Sequence, residues 1–224
     1  MRGFHRAIIF ANGRQPEDFR FEIQSQDFLV AADRGLEHLI AYGLLPHLLV
    51  GDMDSLDPQL LRQCQEKVET IQLPPMKDET DLEVALNEVV KRGFDTICIV
   101  NGLGGRLDHT LGNLGLLYRP DLTNKHVWFD DGETNVHLLS GPRTFSLGCD
   151  AGDLVSIVPL SLVVQGVSTA NLEYPLHNEL LLAWQARGIS NVTLKNRFSI
   201  SLEQGDMFVI MTRKKQSRKN NSHD

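Results

Sequence analysis

The stretch Leu48-Leu49-Val50-Gly51-Asp52-Met53-Asp54-Ser55-Leu56-Asp57-Pro58 holds the pattern from which the rest of the chain can be read. A short apolar run predicts a buried strand, and at Gly51 it gives way to two carboxylates one residue apart. Asp57-Pro58 then supplies a side-chain cap and a first-turn proline for a helix through Lys67. Strand, polar loop and helix in that order are one unit of an α/β layer structure. The same alternation extends to both sides. Strand-like runs stand at 7–10, 28–32, 96–100 and 127–129, and Leu36, Leu39 and Ile40 recur at helical spacing. The clearest helix is 81–92, where Leu82, Ala85, Leu86, Val89 and Val90 form one apolar stripe and Gly93 follows in the position that ends helices.

After Ser140-Gly141-Pro142 the pattern changes to period-2 alternation, as in Phe198-Ile200-Leu202 and Met207-Val209-Met211, with turn signals at Gly148, Gly152, Gly166 and Gln204-Gly205-Asp206. One possible helix, 178–187, interrupts this half. The expected architecture is an α/β N-terminal domain, Rossmann-like, with a mostly parallel sheet and flanking helices, followed by an all-β C-terminal sandwich. The expected division is 1–140, 141–212, and a basic disordered tail at 213–224.

Composition narrows the classes of function. With 224 residues, 42% of them apolar, the chain can bury a substantial core, and its apolar runs stop far short of the roughly 20 residues a membrane span needs. A net charge of −7 argues against nucleic acid as a partner, since phosphate backbones are bound by basic surfaces. Cys64, Cys98 and Cys149 are widely spaced and odd in number, which suggests neither a disulfide framework nor a zinc cage and fits a reducing cytoplasm. No cleavable leader is expected from the first residues.

Three motifs carry chemistry. Asp52 and Asp54, at i and i+2 in extended chain, project to one face about 7 Å apart and can share a hard cation such as magnesium, although an isolated pair of this kind serves equally well as turn and cap residues. Lys77-Asp78-Glu79-Thr80-Asp81 opens the best helix. Glu79 is read as a first-turn acid, whereas Asp81 falls at the carboxyl ends of the strands, where ligand sites of such sheets collect. A third carboxylate there repels the other two unless a cation compensates. Asn101-Gly102-Leu103-Gly104-Gly105-Arg106-Leu107-Asp108-His109 joins a strand to a helix striped by Leu107, Leu111 and Leu114. Backbone N–H groups at Gly104 and Gly105 and the Arg106 guanidinium suit phosphate, although a tight structural turn has the same composition. His109 is a helix-start residue beside the acids. The loops with Asn12-Gly13-Arg14 and Asp33-Arg34 present further polar groups at the same sheet edge. Cys98, inside an apolar strand, is read as a buried structural thiol.

In this order and spacing, Ala32-Asp33-Arg34-Gly35, Gly51-Asp52-Met53-Asp54-Ser55, Asp78-Glu79-Thr80-Asp81-Leu82-Glu83 and Gly104-Gly105-Arg106-Leu107-Asp108-His109 resemble the thiamine pyrophosphokinases. The resemblance implies transfer of diphosphate from ATP to thiamine, with Asp52, Asp54 and Asp81 gathering Mg2+, and with Arg106 and Asp108 facing the ATP phosphates and the acceptor. It also implies that Asp33 and Thr80 line the nucleotide site, to which the loop readings above add Asn12, Arg34, Gly104, Gly105 and His109. Gly188-Ile189-Ser190-Asn191 and Tyr174-Pro175-Leu176 resemble the family's thiamine-contacting segments, so Tyr174, Ser190 and Asn191 are the expected substrate contacts. The chain departs from the family pattern at Asn171, Glu173 and Val192. The resemblance further implies a homodimer with thiamine held between subunits. Two other readings stand beside it. One is a haloacid dehalogenase-like phosphatase in which Asp52 is phosphorylated and Asp130-Asp131 add metal ligands, and the other is a sensor of thiamine or nucleotide without turnover.

Overall fold

The computed structural model describes residues 3–14, 21–74 and 76–214, so that most of the basic tail lies outside the described residues. The chain divides into two compact units, Met1–Asn135 and Val136–Asp224.

The first unit runs β1 (Arg6–Phe10), β2 (Asp27–Ala32), α1 (Gly35–Ala41), β3 (Leu48–Gly51), α2 (Pro58–Gln65), β4 (Glu69–Gln72), α3 (Asp81–Lys91), β5 (Thr96–Val100), α4 (Leu107–Gly115) and β6 (His126–Asp130). Its strands lie in the order β6-β5-β1-β2-β3-β4, and each neighbouring pair is parallel. All six residues of β2 and all four of β3 are buried, which is why these strands read as unbroken apolar runs: both faces of the sheet are covered. Leu36 and Leu39 of α1, and Leu82, Ala85, Leu86 and Val89 of α3, are buried as the helical spacing predicts. Asp57 accepts from the backbone N–H groups of Gln59 and Leu60 and so caps α2. β4 escapes sequence reading because Glu69-Thr70-Ile71-Gln72 is polar at both ends and only partly buried.

The chain passes from β1 outward through β2, β3 and β4, then returns to the other side of β1 for β5 and β6. The loops that follow β1 and β5 therefore part in opposite directions at the carboxyl ends of two adjacent strands, the place where open α/β sheets form a ligand crevice. Two backbone hydrogen bonds join them, Ala11 N–H to the Val100 carbonyl at 2.9 Å and Gly13 N–H to the Asn101 carbonyl at 2.7 Å. Gly13 is required by this approach, because a Cβ there would meet the Asn101 oxygen at 2.1 Å.

The helix expected after the glycine loop forms as α4, but its apolar stripe is not covered within this unit: no α4 residue is buried, and Leu107 and Leu111 are 72% and 60% exposed. No helix among the described residues is long and apolar enough to cross a membrane.

The second unit contains β7 (Thr134–Ser140, entered from the first unit), β8 (Arg143–Gly148), β9 (Leu154–Pro159), β10 (Val163–Ala170), β11 (Glu179–Leu182), β12 (Asn191–Val192), β13 (Arg197–Leu202) and β14 (Asp206–Thr212). Strands β12-β9-β14-β7 form one layer and β11-β10-β13-β8 the other. Val155, Ile157, Met207 and Val209 of the first layer pack in one cluster with Val164, Val167, Phe198 and Ile200 of the second, which makes the unit a β-sandwich. The possible helix at 178–187 is not one. Glu179–Leu182 is a strand that pairs antiparallel with β10, Leu181 opposite Val164 and Leu182 opposite Val163. Leu181 enters the core while Leu180 faces outward, so sheet pairing outweighs a helix propensity that only intrinsic preference supported.

Candidate active site

The loop after β3 is shaped by close packing on the loop after β2. A Cβ on Gly51 would lie 3.1 Å from the Asp33 Cα, tighter than an ordinary contact, so a side chain there would press the two loops apart by a few tenths of an ångström. Asp33 itself is buried and has a left-handed backbone, φ +47°, held by its N–H to the Val50 carbonyl at 2.8 Å. The Ser55 hydroxyl donates to one Asp33 carboxylate oxygen at 2.7 Å, and the other oxygen, also buried, has no partner among the described residues. Met53, φ +67°, turns the chain between Asp52 and Asp54, and its side chain enters the core while the two acids point outward. The Asp54 N–H donates to Asp52 Oδ1 at 3.2 Å.

Acids from three segments act on one carboxyl here. The Asp54 carboxyl is pushed above the usual carboxylate range, first by its hydrogen bond to the Asp52 carboxyl and the Asp52 charge, then by the charges of Asp33 and Asp81. Such a cluster is short of positive charge. Part of the deficit is met by Lys77, whose Nζ lies 2.6 Å from Asp81 Oδ1 with both side chains largely withdrawn from solvent. The sequence reading assigned Lys77 no role; its place four residues before Asp81, at the mouth of a helix, was the available signal. Among the described residues no three His, Cys, Asp or Glu side chains stand together in metal-holding geometry. The donor set of Asp52, Asp54 and Asp81 is nevertheless all oxygen, strongly anionic and suited to a hard divalent cation.

Thr80 caps α3, its hydroxyl accepting from the Glu83 N–H at 3.2 Å, and so sets Asp81 in the first helical turn. Arg34 is committed to Glu37 of its own helix at 2.9 Å. Asn12 is exposed in the loop after β1.

The glycine loop divides in two. In its first half, Gly102 and Leu103 donate their N–H groups to the two Asp131 carboxylate oxygens at 3.2 and 3.0 Å, and the Gly102 carbonyl accepts from Asn113 of α4 at 2.8 Å. In the second half, Gly104 and Gly105 have left-handed backbones, φ +81° and +78°, and are exposed. Their conformation alone explains the glycines, since a Cβ at either would meet nothing within 4 Å. Arg106 and Asp108 form an exposed ion pair at 2.6 Å, and this partner, with the His109 N–H, holds the Asp108 carboxyl below its ordinary range. An exposed pair of this kind adds little to stability, so Arg106 is easily exchanged onto a phosphate. His109 lies exposed in the first turn of α4.

In the β-unit, Asn191 is buried and its amide is spent on the backbone of Tyr174, accepting from the Tyr174 N–H at 3.0 Å and donating to its carbonyl at 2.7 Å. Asn191 thereby presents the Tyr174 ring, which is 64% exposed. Ser190 is exposed in a left-handed turn, φ +59°, held by its N–H to the Ser156 hydroxyl at 3.0 Å. A groove of about 490 Å³ lined by Arg143, Thr144, Ser168, Ser201 and Glu203 lies elsewhere in this unit, and Tyr174, Ser190 and Asn191 do not line it.

Comparison with known proteins bears on both units. Residues 19–129 match the thiamin pyrophosphokinase catalytic domain, and residues 144–206 match the thiamin pyrophosphokinase vitamin B1 binding domain. Thiamine pyrophosphokinase of Bacillus subtilis (strain 168) is 28% identical over 183 residues, which cover 81% of this chain and 85% of the relative. Thiamin pyrophosphokinase 1 of Caenorhabditis elegans is 28% identical over 186 residues, covering 70% and 71%. The crystal structure of the Bacillus subtilis enzyme superposes with a TM-score of 0.84 at 26% identity, covering 94% of this chain and all of that one. The yeast enzyme's structure, at 14% identity and a TM-score of 0.73, shares the fold. With both domain models matched in order along one chain, and the acid loops and sandwich folded as described, the protein belongs to the thiamine pyrophosphokinase family.

Proposed function

We propose that this protein transfers diphosphate from ATP to the hydroxyl of thiamine, giving thiamine diphosphate and AMP, and that it does so at the face built by the loops after β2, β3 and β5 and the start of α3. The observation that carries this placement is the packing of the loop bearing Asp52 and Asp54 on the loop bearing Asp33, through the Gly51 backbone and the 2.7 Å hydrogen bond from Ser55 to Asp33, at the crevice end of the sheet. Release of AMP requires that the thiamine hydroxyl oxygen attack the β-phosphorus, that the bond from this phosphorus to the α–β bridging oxygen break, and that the oxygen leave with AMP. The hydroxyl proton passes to a carboxylate of the site.

Asp52, Asp54 and Asp81 would hold Mg2+, which when bound supplies positive charge against the phosphate oxygens. Arg106 and the exposed N–H groups of Gly104 and Gly105 would face the phosphates, with Asp33, Arg34, Asn12, Thr80 and His109 around the nucleotide. Tyr174, held in place by Asn191, and Ser190 would contact thiamine in the β-unit. The cationic acceptor suits an acidic site. A homodimer would cover the apolar stripe of α4, and three free cysteines fit a reducing cytoplasm.

The phosphatase reading finds less support. Asp52 follows the third strand of its sheet, and Asp131, a would-be metal ligand there, is engaged with loop amides. Incubation with MgATP and thiamine, with nucleotides resolved chromatographically, tests the proposal. AMP formed only when thiamine is present is the expected result; ADP in place of AMP, or binding without turnover, refutes it.

A further inference from the structure

The glycine loop contains an anion site that the protein fills with its own side chain. Asn101 has a left-handed backbone, φ +56°, which swings the next N–H groups toward one point. That point is the carboxylate of Asp131, 6% exposed just past β6, each oxygen of which accepts one of the Gly102 and Leu103 N–H groups. The loop lies flat on β6 at this position, since a Cβ on Gly102 would sit 2.4 Å from the Phe129 ring. With its carbonyl bound by Asn113, the Gly102 peptide is gripped on both sides. Directly beyond it come Gly104, Gly105 and Arg106, all three exposed.

We infer that Asp131 is a positioning residue for phosphate binding: its carboxylate occupies the first amides of the loop and sets the turn that offers Gly104, Gly105 and Arg106 to ATP. This rests on the proposed function for the ligand, but the clamp itself is independent of it. An asparagine at 131 keeps the shape and loses the function, because its amino group would face an N–H donor. Ionisation matters for the same reason. Burial raises the Asp131 carboxyl to about 7 against the pull of the loop amides, and the adjacent Asp130 adds to the rise. On β5 the neighbouring titratable group is Cys98, a fully buried thiol pushed well above its ordinary range and so neutral near pH 7. The clamp is therefore charged and closed above neutrality and weakens below it, when one oxygen carries a proton.

Two measurements test this. In the wild-type protein the backbone amide resonances of Gly102 and Leu103 shift together with a midpoint near pH 7, and in Asp131→Asn this titration is gone. In the assay, Asp131→Asn raises KM for ATP about tenfold, the size of one lost hydrogen bond to a charged group, with a smaller change in kcat. Wild-type KM rises from pH 8 to pH 6 more steeply than that of the variant, the ionisation of ATP being common to both. Static amide resonances across this range, or equal KM and equal pH profiles in the two proteins, overturn the inference. If the wild-type protein forms no AMP at all, the proposed function fails while the amide titration still decides the clamp.

Discussion

Ser55→Ala tests whether the acid site is held together across its loops. The Ser55 hydroxyl, 2.7 Å from Asp33 Oδ2, is the side-chain hydrogen bond between the loop carrying Asp52 and Asp54 and the loop carrying Asp33. Because the second Asp33 oxygen is buried without a partner among the described residues, removing the hydroxyl strips a buried carboxylate of its remaining side-chain donor. Hydrogen bonds to charged groups contribute about 1.5–3 kcal/mol, so a loss of about 2 kcal/mol is expected. For a chain of this size that lowers Tm by about 4–8 °C. Loosening the same contact lets Asp52 and Asp54 drift from Asp33, so more Mg2+ is needed to reach half-maximal activity. Differential scanning calorimetry of the metal-free protein and an Mg2+ titration of AMP release measure the two effects, and Ser55→Thr, which keeps a hydroxyl, restores both. A variant that melts within about 1 °C of wild type, well inside the shift expected for a lost buried hydrogen bond, with an unchanged Mg2+ requirement, would show that the loops are not coupled through this bond.

Asp27→Ala should cost stability and spare catalysis: Arg6 bonds Asp27 at 2.9 and 2.6 Å with the acid 3% and the arginine 21% exposed, and losing a hydrogen bond to a charged group costs about 1.5–3 kcal/mol, yet the pair opens β1 and β2 at the end of the sheet opposite the site. Urea unfolding should show the loss, with kcat unchanged. Gly13→Ala forces the loops after β1 and β5 apart, since the new Cβ would fall 2.1 Å from the Asn101 oxygen; a displacement of this size lowers kcat/KM for ATP about a hundredfold in steady-state assays. His47 accepts the Leu29 N–H on Nδ1 at 2.9 Å and burial holds it below its ordinary value of 6.5, so its neutral form is favoured in the folded state. Its contribution is complete above 6.5 and is lost as pH falls below that value toward the lowered folded one. Unfolding at pH 7.5 and pH 5 should therefore show a smaller acid loss in His47→Phe than in wild type.

Features decided within a few residues were legible in the sequence. The buried strands read as apolar runs, Asp57-Pro58 announced α2, the stripe from Leu82 to Val89 announced α3, and glycines at 104 and 105 marked a turn that needs a left-handed backbone. The acid motifs were equally visible, because carboxylates at strand ends and helix starts stand in short, ordered segments. Tertiary structure decided what depends on strand order. That β1 lies between β2 and β5 brings the loops at Gly13 and Asn101 together, and no local pattern encodes that order. Ser55 on Asp33, Asp131 on Gly102 and Leu103, and Asn191 on Tyr174 join residues 22, 28–29 and 17 positions apart. The segment 178–187 shows the same limit from the other side, because a run whose composition permits either helix or strand takes the form its neighbour can hydrogen-bond, and β10 offered an edge.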